Sequence, residues 1–199
     1  MYVPGHFALT DRNALVSYIE AHPFGILVSI DGGKPFATHA PFVVLDAGEP
    51  LRLGMHVARA NPQWKSVEER PVLAIFHGTH DFVSASWYSH PQESVPTWNY
   101  SAVHCSGIAT LCGDAGTLRI LESLVRRFEG PDRWSIASAD PEYVARMLRG
   151  IVAMEVSVTW IDGKLKYSQN RTGEDRDSVL AHLEAQASPL AVDMHDFYR

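Results

Sequence analysis

The hydrophobic positions at the start of the chain follow first a helical and then a strand period. Apolar side chains at positions 14, 15, 18 and 19 lie three or four residues apart, which predicts a helix that ends before Pro23. Residues 24–30 are rich in apolar and β-branched side chains, and the turn-forming residues 31–34 lead into a return strand over residues 34–45. The change of period predicts one helix followed by a β-hairpin.

Short apolar runs separated by turn signals continue to residue 111. They predict strands at residues 51–57, 72–77, 82–87 and 97–111. The connections between these runs are short, and helices do not alternate with strands. An antiparallel barrel or sandwich is therefore favoured over a parallel sheet.

Helices and strands are mixed in the remaining sequence. Helices are predicted over residues 115–128, 141–149 and about 174–187, and strands over residues 151–160 and 164–168. Asp162 and Gly163 predict a tight turn between the two strands. We therefore expect a single domain over residues 1–199, α+β but mainly β, with a helical insertion at about 115–149 and a C-terminal helix.

Composition and charge restrict the function classes. Lys and Arg number 17 against 23 Asp and Glu, so the formal net charge of −6 disfavours a broadly basic nucleic-acid surface. Cys105 and Cys112 lie on opposite faces of a predicted strand, which disfavours a disulfide between them. Neither a signal peptide nor an apolar run of about 20 residues is found. We expect a cytoplasmic protein without a membrane anchor.

Common catalytic motifs are missing from the sequence. It contains no G-x-S-x-G nucleophile elbow, no phosphate-binding P-loop and no G-x-G-x-x-G dinucleotide motif. His77 and His80 flank a Gly-Thr turn and so do not form a helical zinc motif. We expect no metal site, and no catalytic residue is assigned.

The segment Ala58–Trp64 has the chemistry of a phosphate site. Arg59 offers a bidentate guanidinium, the small alanines beside it let backbone N–H groups approach, and a helix is predicted to begin near Pro62. A capped helix start with a surface arginine explains the same residues. The residues alone leave both interpretations open.

Three other places offer ring or ligand contacts. Strand alternation puts Trp98 and Asn99 on opposite faces, where the tryptophan either stacks on a ring or is simply core. Gln169 and Arg171 lie between a predicted strand and the last helix, where polar residues are ordinary. A histidine in a strand, such as His39, is often a satisfied structural residue.

Four stretches taken together resemble a known family. They are MYVPGHF (1–7), HVARANPQW (56–64), VPTWNYSAVH (95–104) and KYSQNR (166–171). In order and spacing they resemble the FMN-binding negative transcriptional regulators of the PaiB type, over essentially the whole chain. The resemblance implies an FMN-binding split barrel, which is an antiparallel Greek-key β-barrel with flanking helices. It also implies a homodimer with FMN held between the subunits, and a repressor role.

The resemblance also implies a set of cofactor-binding residues. They are Thr38, His39, His56, Arg59, Ala60, Asn61, Trp98, Asn99, Gln169 and Arg171. Asn170 is a weaker candidate than its two neighbours.

Two functions of different classes remain open, with haem binding through a histidine as a third. The first is a flavin-binding regulator, although no helix-turn-helix pattern is found and the basic cluster around Arg119, Arg126 and Arg127 fits a solvated helix face. The second is a flavin-dependent oxidoreductase of the pyridoxamine phosphate oxidase-like group. Its small-molecule pocket is predicted at Trp87, Tyr88 and His104.

Overall fold

The described part of the chain is dominated by antiparallel β-structure. A computed structural model describes residues 1–130 and 133–199. The strands are β1 (Ala8–Leu9), β2 (Phe24–Asp31), β3 (Lys34–Pro41), β4 (Val43–Asp46), β5 (Arg52–Ala58), β6 (Arg70–Val83), β7 (Thr97–Leu111) and β8 (Ile151–Lys166). The helices are α1 (Arg12–Ala21), α2 (Asp114–Glu129), α3 (Pro141–Leu148), α4 (Gly173–Ala185) and α5 (Pro189–Tyr198).

The strands form one sheet in the order β3-β2-β6-β7-β8-β5-β4, and β1 pairs with β8. The β2–β3 hairpin pairs antiparallel from Phe24 with Pro41 to Asp31 with Lys34, and β5 pairs antiparallel with β8. The predicted class, mainly antiparallel β with helices, is confirmed. None of the helices in residues 1–130 and 133–199 is long and apolar enough to cross a membrane.

Contacts divide the chain into two units. Unit 1 contains residues 1–11, 77–103 and 162–199. Its core consists of side chains from the end of β6, from the segment after it, from the residue after β8 and from helices α4 and α5. The buried members are Val83, Tyr88, Tyr167, Val179, Leu183, Leu190, Ala191 and Met194. Helix α5 therefore completes the core of unit 1.

Unit 2 contains residues 12–76 and 104–161. Helix α2 packs Ile120 and Leu124 against Val43 and Ala153 of the sheet. At Gly107 in β7, an added Cβ would lie 2.3 Å from the backbone oxygen of Ser157. Only glycine allows the strands to approach this closely.

Three strand predictions differ from the structure. The predicted return strand over residues 34–45 is two strands, because the chain bends at Phe42, whose side chain is buried and whose N–H bonds to the Pro23 oxygen. The predicted strands 72–77 and 82–87 and the Gly-Thr turn between them form one continuous strand, β6, which ends at Val83, and Ala85–Trp87 is a 3-10 helix instead of a strand. The predicted turn at Asp162-Gly163 lies inside β8, where Gly163 pairs with Leu9. Strand pairing overrides these local turn signals.

The helical predictions are mostly confirmed. The predicted insertion at 115–149 contains α2, a short 3-10 turn and α3, and its residues 131 and 132 lie outside the described residues. The predicted last helix at about 174–187 is α4. Helix α5 was not predicted, although its start carries a signal: Ser188 accepts from the N–H of Leu190, and Pro189 occupies the first turn.

Candidate functional site

Arg59 is anchored in the turn that follows β5. Its backbone N–H donates to the Gly150 oxygen at 2.8 Å. Its Nε donates to the Arg149 oxygen at 2.7 Å, and its Nη2 donates to the Ile151 oxygen at 2.8 Å. The other N–H groups of the guanidinium take no part in these bonds. The side chain is therefore held in one orientation while it keeps donors for an anion.

Asn61 braces the same turn. Its Nδ2 donates to Thr38 Oγ1 at 2.8 Å, and its Oδ1 accepts from the Gln63 N–H at 2.9 Å. The second bond caps the 3-10 helix Pro62–Ser66. The structure thus brings Thr38 and Asn61 together, and both ends of the Asn61 amide are used inside the protein.

Gln63 fixes the turn to the β2–β3 hairpin and was not singled out from the sequence. The residue is fully buried, and its Nε2 lies 3.1 Å from the Leu27 oxygen, 3.0 Å from Ser29 Oγ and 3.3 Å from the Phe36 oxygen. A glutamine after a proline carries no sequence signal that distinguishes it from a surface residue. Its role follows only from the fold.

An open cavity of about 500 Å³ lies beside the turn, and we call it the Arg59 cavity. Arg59 and Arg149 line it together with Trp64, and Asp114 contributes the opposite charge. The Trp64 indole N–H donates to the Arg59 oxygen at 3.0 Å, and the Arg59 guanidinium lies 5.9 Å from the indole ring centre. An anionic group with an apolar neighbour suits this lining.

His56, three residues before Arg59, lines a different cavity of about 320 Å³, which we call the His56 cavity. Its Nδ1 is buried and has no hydrogen-bond partner among the described residues. Burial lowers the pKa of His56, so its imidazole is neutral at neutral pH. Leu148 and Ile151 border both cavities.

The other predicted residues of unit 2 are Thr38 and His39 in β3 and Ala60 in the turn after β5. Thr38 and His39 are neighbours in β3, so their side chains lie on opposite faces of the hairpin. His39 is exposed, and its ring centre lies 6.4 Å from that of Phe24. Ala60 is exposed in the turn. Of Thr38 and His39, it is Thr38 that contacts the Arg59 turn, through its bond with Asn61.

In unit 1, Trp98 is an exposed aromatic residue. Its side chain is 53% exposed, so the alternative that it is a core residue is wrong. Its ring centre lies 6.2 Å from that of His80 and 6.1 Å from that of Phe82. A shallow cavity of about 300 Å³ lies here, lined by Trp98, His77, His80 and Tyr100 among others. Asn99 points to the opposite face, as predicted, and is fully buried.

The side chains of Asn99 and Gln169, which were predicted to contact the cofactor, form hydrogen bonds within unit 1. Asn99 Nδ2 donates to Ser168 Oγ at 2.9 Å, whereas its buried Oδ1 has no partner among the described residues. Gln169 Oε1 accepts from the Tyr167 N–H at 2.7 Å, and its Nε2 donates to the Leu165 oxygen at 2.6 Å. Gln169 therefore closes its own turn.

Three cations come close together in unit 1, and two of them were not predicted. Burial lowers the pKa of Lys166, and the positive charges of Lys164 and Arg171 lower it further. Lys166 Nζ donates to the Trp98 oxygen at 2.7 Å, so this group adjoins Trp98. The Arg171 guanidinium lies 4.0 Å from the ring centre of Tyr88.

Two residues of the predicted substrate pocket take part in packing. Tyr88 is 4% exposed and belongs to the core of unit 1. The ring of Trp87 stacks on His182, with 4.9 Å between ring centres. His104 belongs to unit 2.

Residues 1–160 match the family model described as "Putative FMN-binding domain". The chain is 34% identical to protease synthase and sporulation protein PAI 2 of Bacillus subtilis, and the alignment covers 98% of this chain and 94% of that protein. Its fold is similar to that of the flavocytochrome Anf3 from Azotobacter vinelandii, with a TM-score of 0.65 and 19% identity over 86% of this chain and 73% of that one.

A FAD- and haem-binding protein from Mycobacterium smegmatis has a similar fold, with a TM-score of 0.64 and 17% identity over 86% of this chain and 78% of that one. Together the matches confirm three predictions. These are the family resemblance, the split-barrel fold class, and FMN or a related flavin as the cofactor class.

Proposed function

We propose that the protein binds FMN at a homodimer interface and acts as a negative regulator of transcription. The premise is that this chain belongs to the family described as "Putative FMN-binding domain". The relative PAI 2 of Bacillus subtilis, named for protease synthase and sporulation, supports a regulatory role. A cytoplasmic location stays a prediction from the sequence.

The anchored guanidinium of Arg59 is the observation that carries flavin binding. An FMN phosphate is doubly charged and needs fixed donors. Arg59 is oriented by two backbone carbonyls at the edge of a cavity that Arg149 also lines. We assign the phosphate to this turn, with Thr38, Ala60 and Asn61 as its near surroundings. His39 and His56 remain proposed contacts of the flavin.

The exposed ring of Trp98 is proposed as a second flavin contact. A bound flavin supplies redox chemistry through its ring, and aromatic residues favour stacking on such a surface. Asn99, Gln169 and Arg171 belong to the same proposal. Because the amides of Asn99 and Gln169 are partly or wholly bonded within unit 1, we expect them to position Trp98 and the cations rather than to bind strongly themselves.

An absorption spectrum and an FMN titration test the proposal. We expect a flavin band after FMN is added, and quenching of flavin fluorescence on binding. Arg59→Ala should weaken FMN affinity about ten- to a hundredfold, as expected for loss of a charge-assisted bond. The control Arg70→Ala removes the same charge at an exposed residue that does not line the Arg59 cavity. Equal affinity of wild type and Arg59→Ala would refute the assignment of the phosphate.

The homodimer is tested by light scattering of the purified protein with and without FMN. A measured mass of two chains, obtained without crowding agents or crosslinkers, supports the proposal. A monomer that binds FMN with unchanged affinity at all protein concentrations contradicts the placement of flavin between subunits.

DNA binding is tested by its dependence on salt. The net charge of −6 is unfavourable for binding DNA. The basic cluster around Arg119, Arg126 and Arg127 is also less basic than the sequence suggests, because Arg119 pairs with Glu155 at 2.9 Å. If the protein represses directly, its affinity for a duplex should fall steeply with added salt. Failure to retain any duplex at low salt, with FMN present or absent, would exclude direct binding.

The cavity beside Trp98 favours a flavin-dependent oxidoreductase as the second candidate. His77 and His80 line it, and histidine suits proton transfer near neutral pH. NADH oxidation by the FMN-loaded protein would support an enzyme. A flavin that stays oxidised with NADH and with pyridoxine 5′-phosphate counts against one.

A further inference from the structure

Three positive side chains of unit 1, Lys164, Lys166 and Arg171, lie close enough together to repel one another, and we call them the cation group. Burial lowers the pKa of Lys166, and the charges of the other two members lower it further. None of the three forms an ion pair with a carboxylate in the described part of the chain. The group therefore holds positive charge that lacks a direct counter-ion.

The acid nearest to balancing this charge is Asp175, and it is engaged elsewhere. Its Oδ1 accepts from the backbone N–H and from the hydroxyl of Ser89. The backbone bond of Ser89 lowers the pKa of Asp175 most, and the charge of Arg171 lowers it as well. Asp175 thus offsets part of the charge of Arg171, whereas the two lysines keep theirs.

Lys164 is the buried member of the group. It is 7% exposed, and its Nζ donates to the Tyr2 oxygen at 3.3 Å. The same Nζ lies 5.0 Å from the ring centre of Tyr100 and 6.0 Å from that of Phe7. Aromatic faces attract a cation but do not neutralise it. Because the field of a charge is weakly screened in a buried environment, Lys164 adds positive potential at Lys166 without having to touch a ligand.

Lys166 is the member that offers a donor. Its side chain is half-buried, and its Nζ donates to Thr97 Oγ1 and, at 2.7 Å, to the Trp98 oxygen. An ammonium group has three N–H donors, so one of them takes part in neither bond. The two bonds hold the charge in one place, beside the exposed ring of Trp98. A ligand therefore meets an oriented donor there.

The surface next to Lys166 suits an anion. The shallow cavity of about 300 Å³ beside Trp98 has no acidic residue among its described lining residues. Tyr100 lines this cavity and also contacts Lys164, so the buried charge lies close to the cavity wall. FMN carries one phosphate, and the proposed function assigns that phosphate to the Arg59 turn of unit 2. The cation group is then left for the anion of another molecule.

We propose that the cation group binds the carboxylate or phosphate of a second small molecule, with Lys166 Nζ as the direct donor. An oxyanion accepts a charge-assisted hydrogen bond from Lys166 and relieves the repulsion within the group. The proposal rests on the proposed function in one respect, which is the flavin ring lying against Trp98. An anion at Lys166 lies beside that ring, where the molecule that reacts with the flavin must also lie. The reaction partner of the flavin is therefore a small organic anion.

Phosphorus NMR of phenyl phosphate, added to the full chain saturated with FMN, tests the proposal, because the phosphates of the two molecules give separate signals. We expect one bound phenyl phosphate per chain, with the bound FMN signal retained. Benzyl alcohol has the same ring without the anion, and in calorimetric titration it should bind at least about tenfold more weakly. Benzoate in the same titration distinguishes a carboxylate from a phosphate as the preferred group. No binding of either anion to a protein that is folded by circular dichroism would overturn the proposal.

A matched pair of variants locates the anion. Lys166→Met removes the charge and should weaken phenyl phosphate binding at least about tenfold. Lys34→Met removes the same charge at an exposed position of β3 and should not. If Lys166→Met does not fold, Lys166→Gln gives the same test, because its amide can still donate to the Trp98 oxygen. Equal binding by the Lys34 and Lys166 variants would overturn the proposal.

The failure of this proposal can be told apart from the failure of the flavin site. If phenyl phosphate and FMN displace each other, the cation group holds the FMN phosphate, and the proposal is overturned while flavin binding stands. If FMN binds nowhere, the titration of the flavin-free chain still decides the matter. Phenyl phosphate binding that Lys166→Met abolishes would then support the anion site, and no binding would overturn it.

Discussion

Two turns of similar composition differ in what they leave available for a ligand. The Arg59 turn (residues 59–63) and the Gln169 turn (residues 166–171) each combine an arginine with amide side chains. In both, amides are bonded to the protein itself. The arginines differ: Arg59 is held by carbonyls beside a cavity, whereas Arg171 lies over the ring of Tyr88. Residue type alone therefore does not identify a ligand contact, because the neighbours decide which donors remain.

The largest difference between the turns should appear in stability. Gln63→Ala removes a fully buried amide from three acceptors, and we expect the free energy of unfolding to fall by about 3 kcal/mol. Gln169→Ala, in the half-buried amide of the other turn, should cost about 1 kcal/mol. Urea unfolding of the flavin-free protein measures both. Equal losses would mean that the Arg59 turn is no more firmly fixed than the Gln169 turn.

A smaller difference is expected in FMN affinity. Arg171→Ala should weaken binding only about two- to fivefold, because the contact of Arg171 with Tyr88 at 4.0 Å already engages the guanidinium. Flavin fluorescence titration of Arg171→Ala beside Arg59→Ala measures the ratio. If Arg171→Ala has the larger effect, the phosphate belongs to the cation group of unit 1.

The sequence predicted most of the fold because its periodicity is strong where the elements are long. The limits of β7 agree with the predicted strand over residues 97–111. Two of the errors lie where turn-forming residues sit inside a strand, at Gly78 and Gly163. There, pairing with a distant segment, such as Leu9 with Gly163, decides the structure. A local pattern contains no information about such partners.

For the site, the sequence predicted residue types but not their bonds. The bond between Asn61 and Thr38 joins positions that are 23 residues apart in the sequence. That both ends of the Asn61 and Gln169 amides are used internally depends on turn geometry, which the residue names do not reveal. The burial of Gln63 and of His56 Nδ1 could not be predicted from the sequence either.

The smallest expected effect concerns pH and the surroundings of Arg171. Asp175 Oδ1 accepts from the Ser89 backbone N–H at 2.8 Å and from its hydroxyl at 2.9 Å. The backbone bond most of all, and also the charge of Arg171, lower the pKa of Asp175. Because the folded-state pKa is lowered, the stabilisation is complete above the unfolded value of about 3.9 and is lost as pH falls through the folded-state pKa.

We therefore expect Asp175→Asn to lose less stability than wild type between about pH 5 and pH 3. Thermal unfolding across this range measures the slope. Asp177→Asn, an exposed position on the same helix, serves as the control. Parallel curves for wild type and Asp175→Asn would show that the carboxylate contributes nothing specific to the Gln169 turn.

Helix α3 has a consequence for local dynamics. With no buried residue to hold it, the helix needs only to break its own backbone hydrogen bonds in order to open. Its amide protons should therefore exchange with deuterium sooner than those of α2, which anchors Ile120 and Leu124 in the core. Anything that fills the space beneath α3 would slow that exchange, so the amides of this one helix form a built-in reporter of occupancy.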